Sequence, residues 1–363
     1  MTGTALLRIQ GLHKRFGAVT ALSEVSLEVR EGEFFSLVGP TNAGKSTLLK
    51  TIAGLHRADA GGIALRGAPI DALPPHERRV SLVFQQDALF PDRTGYDNIA
   101  FALEAAKTPA AQIEDRVREV AQQLGIAHVL HRHPDTFSGG ERKRVAIARA
   151  LAAPSDLLML DEPLGSLDAR LRVSLRLELK QLQSASGRSI LFVTHGHVEA
   201  MSLSDRIAVI DVGRIQQIGT PDEIYRTPAN RFVATFFGSP PMNLMQAELI
   251  DSGGTRELVG SGFRVPAPAL DTAAAPPREL DVGVPAERVR IGGNRSDSTP
   301  FPAKVLWIER LGARQVLELE LGEDTLKAVL PHDHPVRDSR EVWVGFSPRA
   351  EHLLDRATGL FIR

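Results

Sequence analysis

Short apolar runs recur through the earlier part of the chain, at residues 33–38 (EFFSLV), 80–84 (VSLVF), 157–160 (LLML), 190–193 (ILFV) and 207–210 (IAVI). Runs of four to six mostly apolar residues suit strands buried on both faces, as in a parallel sheet. Residues 112–124 and 141–151 carry helical spacing instead, within a helix-like stretch between Pro91 and Ala153. After Asp168 two periods compete. Leu171, Val173, Leu175, Leu177 and Leu179 alternate as in a strand, while Leu171, Leu175, Leu179 and Leu182 fit one face of a helix. A helix is predicted, because Asp168 is a good N-cap and the segment is rich in Arg, Leu, Glu and Lys.

The pattern changes after Gly238. Pro240 and Pro241 follow, then a Pro/Ala stretch over 266–277 and a polar stretch over 292–299. Beyond Phe301 the period becomes two: Leu317, Leu319 and Leu321 alternate with Glu318 and Glu320, and Val342, Val344 and Phe346 with Glu341, Trp343 and Gly345. Half-buried antiparallel strands in a small barrel or sandwich are the expectation. The chain therefore divides into an α/β unit at 1–237, with a helical subdomain at about 88–153, and an all-β unit at 238–363.

Composition narrows the classes. The 363 residues carry 43 Lys and Arg against 44 Asp and Glu, a net charge of −1 that argues against a chain built to coat nucleic acid. No cysteine is present, which excludes disulfide staples and thiolate metal sites. No signal-peptide-like or membrane-spanning apolar stretch is evident, so the expectation is a soluble, cytoplasmic chain.

Two motifs carry chemistry. Gly39, Pro40, Thr41, Asn42, Ala43, Gly44, Lys45 and Ser46 match G-x-x-x-x-G-K-[ST] between an apolar run and a helix-like segment beginning at Thr47. Such a loop wraps phosphates with backbone N–H groups and a helix N-terminus. Lys45 is expected to reach the β/γ-phosphates and Ser46 to offer its hydroxyl to Mg²⁺. Asn42 tolerates positive φ, so the loop can close. The run 157–160 ends in Asp161 and Glu162. Asp161 is expected to hold Mg²⁺ through water, and Glu162 to act as general base on the attacking water.

Phe137, Ser138, Gly139, Gly140, Glu141 and Arg142 precede a helix-like segment. Here the sequence strongly resembles the ABC-transporter ATPases, whose signature reads L-S-G-G-Q. Further matches follow the family order: Phe16 to the aromatic that stacks on adenine, Gln85 to the glutamine that senses Mg²⁺ and the permease, Ser166, Leu167 and Asp168 to the D-loop, and His195 to the switch histidine near the γ-phosphate. Residues 161–172 and 238–245 resemble the importer ATPases for carbohydrate, polyol and glycerol-phosphate uptake, and 283–290 and 355–361 resemble segments of their C-terminal oligonucleotide-binding-type barrel.

That resemblance implies a P-loop ATPase of ATP and Mg²⁺, with catalytic Lys45, Glu162 and His195. It implies nucleotide contacts from Phe16, residues 39–47, Gln85, Ser138, Gly139, Gly140 and Asp168, and metal contacts from Ser46, Gln85 and Asp161. Ser138 and its glycines would complete the site of a second cassette, identical or paralogous. The implied partners are two membrane permease subunits and an extracytoplasmic solute-binding protein, with no nucleic acid. The implied place is the cytoplasmic face of the bacterial inner membrane. Residues 87–103 would form the groove for a permease helix. Importers of polyamine, iron or an oxyanion, and soluble non-transport ABC ATPases, are the competing readings. The departures are Phe137 and Glu141 in the signature, Gly165 before the D-loop, Gly196 in place of the acid after the switch histidine, and Pro285 and Ala286 in the barrel segment.

Overall fold

The computed structural model describes residues 4–165, 167–252, 254–270, 277–336, 341–349 and 352–362. Ser166 of the D-loop match and residues 271–276 of the Pro/Ala stretch lie outside the described residues. The chain separates into two compact units, Met1–Pro221 and Asp222–Arg363.

The first unit is built on a six-stranded sheet in the order Arg214–Gly219, Arg206–Asp211, Phe34–Val38, Ser189–Thr194, Leu157–Asp161, Val80–Val83. Neighbouring strands pair in parallel from Arg206–Asp211 to Val80–Val83, and Arg214–Gly219 adds an antiparallel edge. The apolar runs of the sequence are thus the strands of this sheet. Phe34–Val38, Leu157–Asp161 and Ser189–Thr194 are buried along their whole length, which is why they read as continuous rather than alternating. One face carries the helices Gly95–Ala105, Ala110–Gln123, Gly139–Ala152 and Ala169–Ser186, whose apolar stripes join Phe34, Leu158, Leu160, Ile190 and Phe192 in one core.

The opposite face packs against helix Lys45–Ile52 and a four-stranded antiparallel sheet of Ala5–Phe16, Val19–Arg30, Ala60–Leu65 and Ala68–Pro69. The helix after Asp168 forms as expected. The Asp168 side chain accepts from the Arg170 and Leu171 amides at 3.0 and 2.9 Å, and Gly187 closes the far end at φ 64°.

The second unit holds two five-stranded sheets whose described pairings are all antiparallel. Leu317, Leu319, Leu321, Val342, Val344 and Phe346 all lie in its core with Met245, Val282 and Leu353, as the period-two pattern requires. Asn243 ties the sheets together: its amide donates to Val284 O and Lys327 O, and its carbonyl accepts from the Lys327 amide. One boundary differs from the sequence reading. Residues 222–237 belong to the second compact unit, because Ala234 of helix Arg231–Phe236 packs with Leu354 and Phe361. Pro240–Pro241 therefore falls inside that unit and not at its edge. Among the described residues no helix is long and apolar enough to cross a membrane.

Candidate nucleotide site

The site opens at the C-terminal ends of the parallel strands, where open α/β sheets place their ligands. Phe34–Val38 delivers the loop 39–44, and helix Lys45–Ile52 begins immediately after it. Two glycines are required by geometry. A Cβ on Gly39 would meet Ile210 O at 2.1 Å, and Gly44 sits at φ 103° with Ala21 O 2.5 Å from any added Cβ. Asn42 takes φ 67°, the left-handed conformation that its sequence position requires.

Lys45 is almost fully buried and donates to Gly39 O at 2.9 Å and Pro40 O at 2.7 Å, holding the loop in its curl. Burial lowers its ammonium below the usual lysine range, against the opposing fields of Glu162 and Asp161.

Strand Leu157–Asp161 places two acids beside the loop. Ser46 Oγ donates to Asp161 Oδ1 at 3.1 Å, and burial raises the Asp161 carboxyl above its ordinary range. Glu162 takes φ 45°, a strained backbone for a residue with a Cβ, while its amide donates to Val193 O at 2.9 Å. Its carboxylate is the centre of the site: Gln85 Nε2 donates to Oε2 at 3.2 Å, His195 Nδ1 lies 3.3 Å from Oε2, and Lys45 Nζ lies 3.7 Å from Oε1.

These groups share a cleft of about 640 Å³ lined by Thr41, Asn42, Gly44, Lys45, Ser46, Thr47, Gln85, Glu162 and His195. Val19, Thr20 and Ala21 line it too. The sequence reading missed them, and no reactive side chain marks them; only their place just after the turn at Gly17 does.

Other candidates stand apart from the cleft lining. Pro40 and Ala43 belong to the loop but do not line the cleft, and Ala43 is buried beneath it. Phe16 is half exposed, edge-on to His56 at 5.2 Å, with Lys14 Nζ 5.2 Å from its ring centroid. Ser138, Gly139, Gly140 and Asp168 contribute nothing to this chain's cleft and sit instead at two helix N-termini.

The neighbourhood of His195 bears on Gly196. Thr194 Oγ1 donates to the buried Glu199 carboxylate at 2.5 Å and accepts from the Gly196 amide at 2.9 Å. A Cβ at position 196 would lie 3.0 Å from Glu199 Cδ. A side chain there would require the Glu199 carboxylate to shift by a few tenths of an ångström.

Ser138 caps helix Gly139–Ala152 in a reciprocal box. Its hydroxyl accepts from the Glu141 amide at 3.3 Å, and Glu141 Oε2 accepts from the Ser138 amide at 2.7 Å. The Ser138 amide, then His128 and Arg132, hold the Glu141 carboxyl at about 2, well below its ordinary 4.5. A folded-state pKa below the unfolded one gives stability that is fully present above about pH 4.5 and lost as pH falls toward 2. In acid titrations followed by circular dichroism, Glu141→Gln should lose part of this pH dependence while keeping the helix. Identical acid midpoints for the two proteins would show that the cap carries no linked proton.

A phosphate loop at a sheet switch point, an adjacent Asp–Glu pair and a capped signature helix define an ABC-type ATPase cassette. Residues 22–165 match the ABC transporter family model, and residues 282–354 match the TOBE domain. The chain is 41% identical to the trehalose/maltose import ATP-binding protein MalK of Thermococcus litoralis, covering 97% of this chain and 98% of that one. It is 40% identical to the sn-glycerol-3-phosphate import ATP-binding protein UgpC of Cereibacter sphaeroides, covering 98% and 99%.

Among solved structures, cbiO1 from Clostridium perfringens, part of the ABC transporter complex cbiONQ, superposes with a TM-score of 0.57 at 27% identity, covering 61% of this chain and 90% of its own. A dimeric ATP-binding cassette in a post-hydrolysis state bound to ADP and Pi gives 0.55 at 27% identity, covering 60% and 99%. The chain belongs to the ATP-binding subunits of ABC transporters. Its nucleotide-binding cassette followed by a TOBE domain fits an importer ATPase.

Proposed function

We propose that this chain hydrolyses ATP to drive uptake of a carbohydrate, polyol or glycerol-phosphate-type solute through a separate permease. The observation that carries this reading is the convergence of Lys45, Ser46, Gln85, Glu162 and His195 on one cleft, while Ser138 and its glycines lie outside it. A second cassette, a copy or a paralogue, closes its signature helix over the cleft, and its capped N-terminus meets the phosphates. The relatives' printed functions in trehalose/maltose and glycerol-3-phosphate import support the solute class.

Lys45 binds the β/γ-phosphates. Glu162, held between Gln85 and His195, accepts the proton of the attacking water. In this reading His195, beside Glu162, contacts the γ-phosphate, and the exposed ring of Phe16 stacks on the adenine. Ser46, Gln85 and Asp161 suit Mg²⁺: Ser46 and Asp161 already converge at 3.1 Å, and all three offer oxygen, the donor type this hard cation selects. When bound, the ion neutralises charge on the phosphate oxygens.

The assembly this predicts is two permease subunits with two cassettes at the cytoplasmic face of the inner membrane, supplied by an extracytoplasmic solute-binding protein. Affinity purification of the tagged chain from detergent-solubilised membranes should recover the permease in stoichiometric amount. ATPase activity of that complex should rise when the loaded binding protein is added. Recovery of the chain from the soluble fraction alone, with no permease attached, would defeat the importer reading.

A further inference from the structure

Lys143 is fully buried in the signature helix, and the chemistry above makes no use of it. A buried ammonium is costly unless paired, and its partners lie in the glutamine segment. Lys143 Nζ donates to Gln85 O at 3.0 Å and lies 2.5 Å from Asp87 Oδ1. The same helix grips that segment again: Arg149 Nη1 donates to Ala88 O at 3.0 Å, and its guanidinium sits 5.3 Å from the Phe90 ring centroid. The Gln85 side chain reaches the Glu162 carboxylate, while the capped first turn of the helix presents Ser138. Resting on the composite-site reading above, this places one end of the helix at the neighbouring site and its buried lysine on the glutamine of the chain's own site.

We propose that Lys143 is a positioning residue that couples the two ATP sites. Its tie to Gln85 O and Asp87 makes the glutamine of one site and the signature serine offered to the other move as one body. The helix between Ser138 and Lys143 is a little over one rigid turn, so a shift of the glutamine segment is passed to the serine with little loss. Nucleotide bound against Gln85 and Glu162 therefore sets the signature that closes on the opposite site, and hydrolysis is cooperative in ATP.

The test is the ATP dependence of steady-state hydrolysis by the full chain. Wild type should be sigmoidal. Lys143→Met, which keeps the length of the apolar stem and removes the charged end, should fold and bind MgATP as a single chain with wild-type affinity. Its kcat should fall about 2- to 30-fold, the range of mutational effects on coupling, and its Hill coefficient should approach one. Asp87→Asn should act in the same direction, and the double variant should be no worse than the poorer single one, as for residues acting as a unit. A sigmoidal Lys143→Met, or additive losses in the double variant, would overturn the coupling. Should Lys143→Met fail to fold, Asp87→Asn decides alone by the same criterion, since its partly exposed side chain tolerates the change. Hyperbolic hydrolysis by wild type also overturns the inference while leaving the ATPase reading intact. A wild type that binds MgATP and never hydrolyses it defeats that reading itself.

Discussion

Glu162→Gln is expected to bind MgATP and turn it over about 10²–10⁴-fold more slowly, the range associated with loss of a general base. The reasoning is local. The amide keeps the shape of the carboxylate, and its oxygen can still accept from Gln85 Nε2, now 3.2 Å away. It cannot take a proton from water. It also removes the negative charge 3.7 Å from Lys45 Nζ, which frees the ammonium to bind phosphate more strongly. Slow turnover with intact binding should let ATP accumulate a closed dimer, visible as an ATP-dependent shift on size exclusion. Phosphate release measured at saturating ATP decides the matter. Turnover within about twofold of wild type would mean that the strand-end glutamate is not the base, whatever its neighbours.

The parts of the site on strand ends were legible because chemistry and periodicity coincide there. Continuous apolar runs marked the buried parallel strands, and residues that follow four of them line the cleft: the loop after Phe34–Val38, Gln85 after Val80–Val83, Glu162 after Leu157–Asp161 and His195 after Ser189–Thr194.

The N-terminal antiparallel sheet was not legible. Ala5–Phe16 pairs with Val19–Arg30 through several register shifts, and each shift breaks the alternation that would otherwise announce a strand. Helix Gly95–Ala105 carried a usable signal in Thr94 and Asp97, a reciprocal cap, with the buried Asn98 bonded to Phe90 and Arg93. Lys143 was hidden for a different reason. A lysine in a helix reads as solvent-facing, and only the carbonyl and carboxylate of a segment far away in sequence make its burial tolerable. The prolines after Gly238 suggested a boundary, yet the break between compact units falls before them, because the short helix Arg231–Phe236 finds its apolar partners in the β unit.

Lys45→Ala and Ser138→Ala should each abolish most hydrolysis by the chain alone, and mixing the two inactive proteins should restore part of it, since only one composite site of each mixed dimer is intact. Removing the phosphate-binding lysine takes away a charge aimed at the transferring phosphoryl group, and a loss of roughly 10²–10³-fold is expected, as for deletion of one preorganised donor. Nucleotide affinity falls with it, because Lys45 is the one lysine or arginine among the described residues that line this chain's cleft.

Ser138→Ala should behave differently. Ser138 does not line the cleft of its own chain, so nucleotide binding by the single chain should persist. Helix Gly139–Ala152 loses a cap worth about 1 kcal/mol, which thermal denaturation will register as a modest loss of stability. In a mixed dimer one composite site carries both lesions and the other carries neither, since an intact phosphate loop then faces an intact signature. Activity recovered on mixing, and absent from either variant at the same total concentration, is the outcome that head-to-tail pairing of copies demands. Two variants that both bind and hydrolyse ATP feebly, alone and mixed alike, would place Ser138 in the service of its own chain.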